Sequence, residues 1–404
     1  MRRPLEGIKV LDFSHGVAAP YTSMLLGDMG CDVIKVEMPS RGDSTRYMNV
    51  AERFNTEIPR VGGDYFLAIS RNKRSVCIDM KNQEGVDLCR GLARWADIAV
   101  QSFRPSVMGR LGLDYESLRK LNPKLIYASL SAYAQDGTFA NKPGMDVAVQ
   151  ARSGVMRLTG VRGSTEPVRP GASLADFAGG IYLYAALATA LYDRERTGFG
   201  QEVRLSLMDA TMSMLINYSV AVMDGKAQLE PVGSGHPQLV PYQAFATTDG
   251  YIVIGAGTNK TYRELCATLG CNELAHDPRF LGNQDRVHNR DILIPLLQAL
   301  TRKKTTNEWL DIFEKADVPA APVNDLSTAF RELKEISPDM VQVVKHPAAG
   351  NLHLLGVPFK FSKSGGDIRR PPPMLGEHTE EVLRDVLNLE THEIAQLRAK
   401  KVVG

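Results

Sequence analysis

The sequence has few of the residues that staple or metallate a fold. Its five cysteines (Cys31, Cys77, Cys89, Cys266 and Cys271) are odd in number and scattered, and no two form a CxxC pair. That spacing offers neither a disulfide framework nor a zinc ribbon, so reduced thiols in a cytoplasmic protein are the expectation. The eight histidines show no metal-ligand spacing, and no metal is expected. Neither sign of charge dominates. A net charge of +2 gives no support to a nucleic-acid partner, although a local basic patch could still hold a small anion. The opening MRRPLEGIKVLDF has two arginines but no apolar stretch before a cleavage site, which argues against a signal peptide. The most apolar run, Phe177 to Tyr192, contains a Gly pair and is followed by Asp193–Arg194–Glu195–Arg196. It falls short of a bilayer span and reads as a buried core helix, so no membrane partner is expected.

Several enzyme signatures are missing too. No GxGxxG follows the first strand-like run, and GxxxxGK[ST], HExxH and GxSxG do not occur. Gly255–Ala256–Gly257 lies between a strand pattern and a helix pattern, but Lys260 stands where a dinucleotide loop needs its third glycine. There is no internal repeat and no low-complexity tract.

What is present is alternation. Gly7–Phe13, Asp32–Val36, Val76–Ile78, Asp97–Gln101 and Leu125–Leu130 read as short β-rich runs, with helical patterns at Ala19–Met29 and Glu84–Trp95. Such β-α-β order argues for an α/β fold built on a doubly wound, mostly parallel sheet. Ligands on such sheets sit at the carboxyl ends of the strands, which directs attention to the loops after Phe13, Glu37, Gln101 and Ser131. A helix from Asp176 to about Arg194, a strand Glu202–Leu207 and a helix from Asp209 to about Met223 follow. The Gly-, Pro- and His-rich segment Gly225–Pro241 reads as a linker. The expected organisation is a large domain over 1–224, a smaller α+β domain over 225–322, and a return to the large domain over 323–404.

Several segments together resemble class III CoA-transferases, the family of formyl-CoA transferase and the α-methylacyl-CoA racemases. They are PLEGIKVLDFSHGVAAPYTSMLLGDMGCDVIKVEMPSRGD, NKRSVCIDMK at 72–81, SFRPSVMGRLGL at 102–113, NPKLIYASLSAYAQDG at 122–137, and RPGASLADFAGGIYLYAALATALYDRERTGFGQEVRLSLMDA at 169–210. GSGHPQLVPYQAFATTDGYIVIGAG and RPPPMLGEHTEEVL complete the set. The resemblance implies a Rossmann-like large domain, a small domain, and a ring-like chain forming an interlocked homodimer. It implies an acyl-CoA thioester and a carboxylic acid as substrates, with no permanently bound cofactor.

The resemblance also places the family's nucleophilic aspartate at Asp176. On its own, an Asp just before an apolar helix reads as an N-cap, and a helix N-terminus keeps a carboxylate ionised. For CoA contacts the family's segments point to Val17, Ala18, Ile78, Lys81, Ser102, Phe103, Arg104 and Arg110. Each basic residue alone reads more often as solvated surface charge. Position 38 is Met where formyl-CoA transferase carries Arg, which makes Arg41 a candidate substitute, and Ser102 stands where the family usually has Asn. Tyr65 and Asp146 match positions lining the acyl or acceptor pocket, and each could instead be structural. Gly233 and Gly235, in GSGHP, could bring backbone N–H groups to an oxyanion or could form a plain turn.

Two other readings compete. A racemase needs a histidine base before an aspartate, but here the stretch is Pro143–Gly144–Met145–Asp146, and Met145 cannot take a proton. A non-catalytic CoA-binding protein would need Asp176 to be a cap alone. The late segments, with RVHNR at 286–290, look closest to succinate–hydroxymethylglutarate CoA-transferases. That suggests succinyl-CoA as donor and a dicarboxylate acceptor, for which Arg152 and Arg169 are available.

Overall fold

The computed structural model describes residues 2–50 and 60–404. The chain forms two compact units. The first comprises Met1–Ser153, Pro170–Lys226 and Ile336–Gly404, and the second Gly154–Arg169 and Ala227–Glu335. The second unit therefore takes in a segment before Arg169 and runs thirteen residues past the sequence-based boundary at 322.

In the first unit, β1 (Lys9–Asp12), β2 (Asp32–Glu37), β3 (Lys73–Cys77), β4 (Ile98–Gln101), β5 (Ile126–Ser131) and β6 (Glu202–Ser206) make one sheet, ordered β3-β2-β1-β4-β5-β6. Every pairing is parallel. Alternate residues serve opposite faces, as the strand pleat requires. Leu11, Ile34, Val76, Ala99 and Tyr127 join one core, with Val86, Cys89 and Leu92 of helix Gln83–Trp95. Val10, Val33, Ile98 and Ile126 join the other, with Leu183 and Leu187 of helix Leu174–Thr197. Helices thus cover both faces of a mixed α/β sheet. The strand order reverses between β1 and β4, where such sheets open a crevice.

Helix Leu174–Thr197 has 24 residues, longer than the apolar run that marks it, and is apolar enough to cross a membrane by length and composition alone. Here it packs on helices Ala18–Asp28 and Leu207–Ser213 and on β5 and β6. The Gly pair permits the approach: a Cβ on Gly180 would lie 2.8 Å from the Ala18 carbonyl oxygen. Thr22 donates its hydroxyl to the Gly180 carbonyl at 2.9 Å. The expected helix over 209–223 is two helices, Leu207–Ser213 and Ile216–Met223.

Charges are buried at the carboxyl end of the sheet. Lys35 meets Asp43 at 2.9 Å and donates to the Ser14 carbonyl at 2.7 Å. Lys73 pairs with Asp12 at 3.3 Å. Arg46 forks onto Glu37 with two bonds of 2.7 Å, both side chains lying essentially out of water. Gly42 is required at this turn. Its φ is +66°, and a Cβ there would sit 2.7 Å from Arg46 Cδ and 2.9 Å from the Glu37 carboxylate. These pairs fix the loops that follow β1 and β2.

The remainder of the first unit includes the hairpin β10 (Val341–His346) and β11 (Gly350–Leu355), and the closing helices Thr379–Asp385 and Thr391–Ala399. The second unit holds an antiparallel sheet, β7 (Tyr242–Ala246), β8 (Tyr251–Gly255) and β9 (Ala320–Pro322). Its own core includes Phe245, Ile252, Phe280, Trp309 and Phe313.

Candidate active site

The loops at the carboxyl ends of β1, β4 and β5 surround a cleft of about 930 Å³ in the first unit. His15 and Ser102 join across the switch point. The His15 N–H donates to Ser102 Oγ at 3.0 Å, and Ser102 Oγ donates back to the His15 carbonyl at 3.1 Å. Phe103 is held by its own N–H, which donates to Gln101 Oε1 at 2.7 Å, and its ring lies 4.8 Å from the His15 ring. Crowding by the surrounding loops pushes the His15 imidazole pKa down; Asp43 opposes this and Lys35 adds to it. Arg104 caps helix Pro105–Leu111, and Arg110 lies near that helix's end; both are exposed and both line the cleft. The site therefore gathers Ser102, Phe103, Arg104 and Arg110, four of the residues singled out in the sequence.

The far wall is Lys142–Met145 with Val147 and Ala148. Met145 is 66% exposed, so a side chain with no proton acceptor occupies the place a racemase base would need. The neighbouring Asp146 is buried and turns its carboxylate the other way. Oδ1 accepts from the N–H groups of Ala175 at 3.0 Å and Asp176 at 3.4 Å, and Oδ2 accepts from Gln150 at 2.7 Å. Asp146 thus ties the cleft wall to the first turn of helix Leu174–Thr197 and closes off two amides that the helix cannot satisfy itself.

This changes the local reading of Asp176. Ser173 is the N-cap residue, and Asp176 is the third residue of the helix, half-buried in its first turn. Its position still places a carboxylate where the helix dipole favours negative charge. Phe177, next to it, packs edge-on against Tyr21 at 5.2 Å, in a cluster with Val17, Tyr65 and Ile69. Val17 and Tyr65 are therefore brought beside the Asp176 turn. Ala18 is buried where its helix meets Gly180.

The other expected contacts lie elsewhere. Lys81 borders a second cleft of about 440 Å³, past the ends of β2 and β3. Ile78 is 1% exposed and its side chain belongs to the core, so only its backbone is available to a ligand. Arg41 is exposed one residue beyond the Met38–Ser40 wall of that cleft. Gly233 and Gly235 stand in the second unit, where their N–H groups donate to the carbonyls of Gly160 at 2.9 Å and Val232 at 3.1 Å. Those amides are engaged rather than presented to an oxyanion. Arg152 lies over the Phe139 ring at 4.5 Å, and Arg169 belongs to the second unit. Among the described residues no group of three or more His, Cys, Asp or Glu is placed to hold a metal ion. The motif reading missed His15 and Lys142. His15 stands in the loop after Phe13, inside the first quoted segment; Lys142 carries no signal of its own and enters the cleft only through the fold.

A family model for CoA-transferase family III matches residues 5–379. The chain belongs to that family. It is a CoA-transferase. It is 35% identical to the human succinyl-CoA:glutarate CoA-transferase over 403 residues, covering 99% of this chain and 90% of the relative. The acetyl-CoA:oxalate CoA-transferase of Acetobacter aceti is 36% identical, with 93% of each chain covered. The crystal structure of a CAIB/BAIF family protein from Brucella suis superposes with a TM-score of 0.83 at 33% identity, covering 96% of this chain and all of that one.

For this transferase, Arg104→Ala removes a cation from the cleft wall. A charge-assisted hydrogen bond contributes about 1.5–3 kcal/mol, or roughly one to two decades of affinity. The expected result is a KM for acyl-CoA raised by that factor, with the KM of the acceptor acid nearly unchanged. Steady-state kinetics with each substrate varied in turn checks it, and equal rises in both would remove Arg104 from the CoA site.

Proposed function

We propose that this transferase moves CoA from an acyl-CoA, with succinyl-CoA the leading donor, to a free dicarboxylic acid, with Asp176 as covalent nucleophile. The observation that carries the reading is the tie through Asp146. It fixes the Asp176 turn to the wall of a cleft whose rim carries Arg104, Arg110 and Lys142.

In this mechanism the Asp176 carboxylate attacks the thioester carbonyl and CoA thiolate leaves, giving a mixed anhydride. The thiolate attacks the aspartyl carbonyl, which releases the donor acid and leaves an aspartyl-CoA thioester. The acceptor carboxylate attacks that thioester, and the returning thiolate takes the acceptor acyl group. Two carboxylates exchange one thioester, so the reaction needs no net proton and no electron.

The dicarboxylate assignment is supported by relatives named for succinyl-CoA, glutarate and L-malate. Homodimer formation is supported by helix Ile216–Met223, which buries none of its residues; Ile216, Val220 and Met223 are each more than two-thirds exposed. A reducing, cytoplasmic setting is consistent with five buried, unpaired cysteines.

The test is a matrix of acyl-CoA donors against mono- and dicarboxylic acids, with products read by mass spectrometry. Succinyl-CoA with C4–C6 dicarboxylates should dominate. Transfer confined to monocarboxylates would overturn the acceptor assignment. Deuterium uptake at the α-carbon without acid-dependent transfer would overturn the mechanism.

A further inference from the structure

The second unit buries two of the five thiols side by side. Helix Asn259–Leu269 ends in a turn at Gly270, whose φ is +72°. The Gly270 N–H donates to the Ala267 carbonyl at 3.2 Å, and the Cys271 N–H to the Cys266 carbonyl at 2.8 Å. These two bonds define the glycine-terminated helix stop in which the residue after the glycine packs on the residue five before it. Here that contact joins Cys271 to Cys266. Both are buried in the same core, and both thiols are free. Standard backbone lengths around the 2.8 Å bond hold the two Cα atoms within about 6.7 Å. A disulfide spans roughly 4.4–6.8 Å between Cα atoms, so the backbone already permits the sulfurs to join. Gly270, Asn272 and Glu273 are exposed, and the pair lies directly beneath this surface turn.

A buried cation stands close by. Arg286 is out of water, yet all five of its hydrogen bonds go to uncharged oxygens: the carbonyls of Val240, Gly257, Phe280 and Leu281, and Asn259 Oδ1. Its guanidinium lies 4.5 Å from the Tyr262 ring centroid. Tyr262 and Cys266 are four residues apart on one helix and share a face. A buried guanidinium bonded to neutral groups favours an anion beside it, and a thiolate at Cys266 is such an anion.

The five thiols divide accordingly. Burial pushes those of Cys31 and Cys89 up, and that of Cys77 up to about 12. Cys266 moves the other way. Hydrogen bonding from Cys271 draws it down against burial, and the Tyr262 hydroxyl and the Arg286 charge add to the effect. Cys271 is pushed up by that same hydrogen bond and by burial. One thiol is set to ionise and its neighbour to keep its proton, as an attacking and a resolving cysteine require.

We propose that Cys266 and Cys271 form a modification site, a thiol pair that a hydroperoxide converts to a reversible intramolecular disulfide. The Cys266 thiolate attacks the terminal peroxide oxygen and the O–O bond breaks. The departing oxygen takes up the proton that Cys266 gave up and leaves as alcohol or water. The Cys271 thiol then attacks the sulfenic sulfur; the S–S bond forms, the S–O bond breaks, and water leaves with the Cys271 proton. The two sulfurs supply the two electrons that reduce the peroxide. A dithiol reductant returns both thiols, so the bond is transient in a reducing compartment.

The probe is hydrogen peroxide on the folded, full-length protein, followed by denaturation, alkylation and mass spectrometry of a tryptic digest. Residues 264–279 form one tryptic peptide that holds Cys266 and Cys271 and no other cysteine. That peptide should lose two hydrogens and resist alkylation, at a rate at least about ten-fold above the oxidation of Cys31, Cys77 or Cys89. Dithiothreitol should restore it. Cys271→Ala should stop at a Cys266 sulfenic acid that dimedone traps, and Cys266→Ala should leave Cys271 open to alkylation at the same dose. If either variant folds poorly, wild type decides alone, because the exposed Met145 and Met223 record the peroxide dose. A 264–279 peptide still carrying two thiols when those methionines have become sulfoxides would overturn the inference. So would a disulfide that forms only after denaturation, or oxidation spread equally over all five cysteines.

Discussion

Asp176→Asn should fold, bind CoA and fail to transfer it. Asp176 is the third residue of helix Leu174–Thr197, behind the cap residue Ser173. The substitution therefore leaves the cap intact and removes one negative charge from the first turn. That charge is worth about 0.3–1 kcal/mol against the helix dipole, so the melting temperature should fall by only a few degrees. The chemical consequence is far larger. A carboxamide is a poor nucleophile toward a thioester and cannot form the anhydride, and loss of a covalent nucleophile typically costs about four to six decades in kcat. Wild type incubated with acyl-CoA and then hydroxylamine or borohydride should carry its modification on the peptide containing Asp176. The Asn variant should carry none. Near-native turnover by an Asn variant shown by mass to be free of deamidation would reduce Asp176 to a helix-terminus residue and return the non-catalytic CoA-binding reading.

The same helix shows what could be read in advance and what could not. β1, β2, β4 and β5 are apolar, β-branched runs, and their order was legible, as was the focus on the loops behind them. β3 was read from Val76, yet it begins at Lys73. Lys73, Arg74 and Ser75 look like a polar approach to a strand. They are buried because Asp12, Asp32 and Glu37, each distant in sequence, receive them. β7 went unread: Tyr242–Ala246 begins directly after the Gly- and Pro-rich linker ends at Pro241. The Asp176 helix was started two residues late, since its first-turn amides are satisfied from outside by Asp146. Asp146 itself was matched to the acyl or acceptor pocket with a structural role as the alternative, and its carboxylate supports the Asp176 turn. In the cleft, motif matching found the arginines at 104 and 110. It passed over His15, although that residue stands two before Val17 in the first quoted segment, and it could not find Lys142, which reaches the cleft only when the sheet is assembled.

Arg46→Met should be the most destabilising single change at the carboxyl end of the sheet, and its cost should shrink in acid. Arg46 and Glu37 form a two-pronged pair with both side chains out of water, and the Arg46 guanidinium also stacks 3.6 Å over Phe66. Removing one partner of such a pair strands the other charge, at about 3–5 kcal/mol. That is a large part of the roughly 5–15 kcal/mol by which proteins are stable. Burial alone would raise the Glu37 pKa. The Arg46 guanidinium, through hydrogen bonds and charge, and then Lys35 and Ser75 more than reverse it, and the carboxyl lies below its usual range. Asp43 and Asp12 are likewise held low against burial, Asp43 by Lys35 and Thr45, Asp12 by Lys35 and Lys73. For a carboxyl depressed in the folded state, the stabilisation is fully present above the unfolded pKa of about 4. It is lost as pH falls through the folded value. The stabilisation contributed by these three carboxyls should therefore hold from pH 7 to about pH 5 and decline steadily below it. In Arg46→Met the buried Glu37 loses its cation and titrates upward, so mild acid neutralises the stranded charge. The gap between wild type and variant, measured by denaturant unfolding, should be widest at pH 7 and clearly narrower at pH 4.5. Glu37→Gln combined with Arg46→Met should recover part of the loss at pH 7, because the double variant leaves no buried charge unpaired. A gap independent of pH, with no recovery in the double variant, would assign the cost to lost packing on Phe66 rather than to the ion pair.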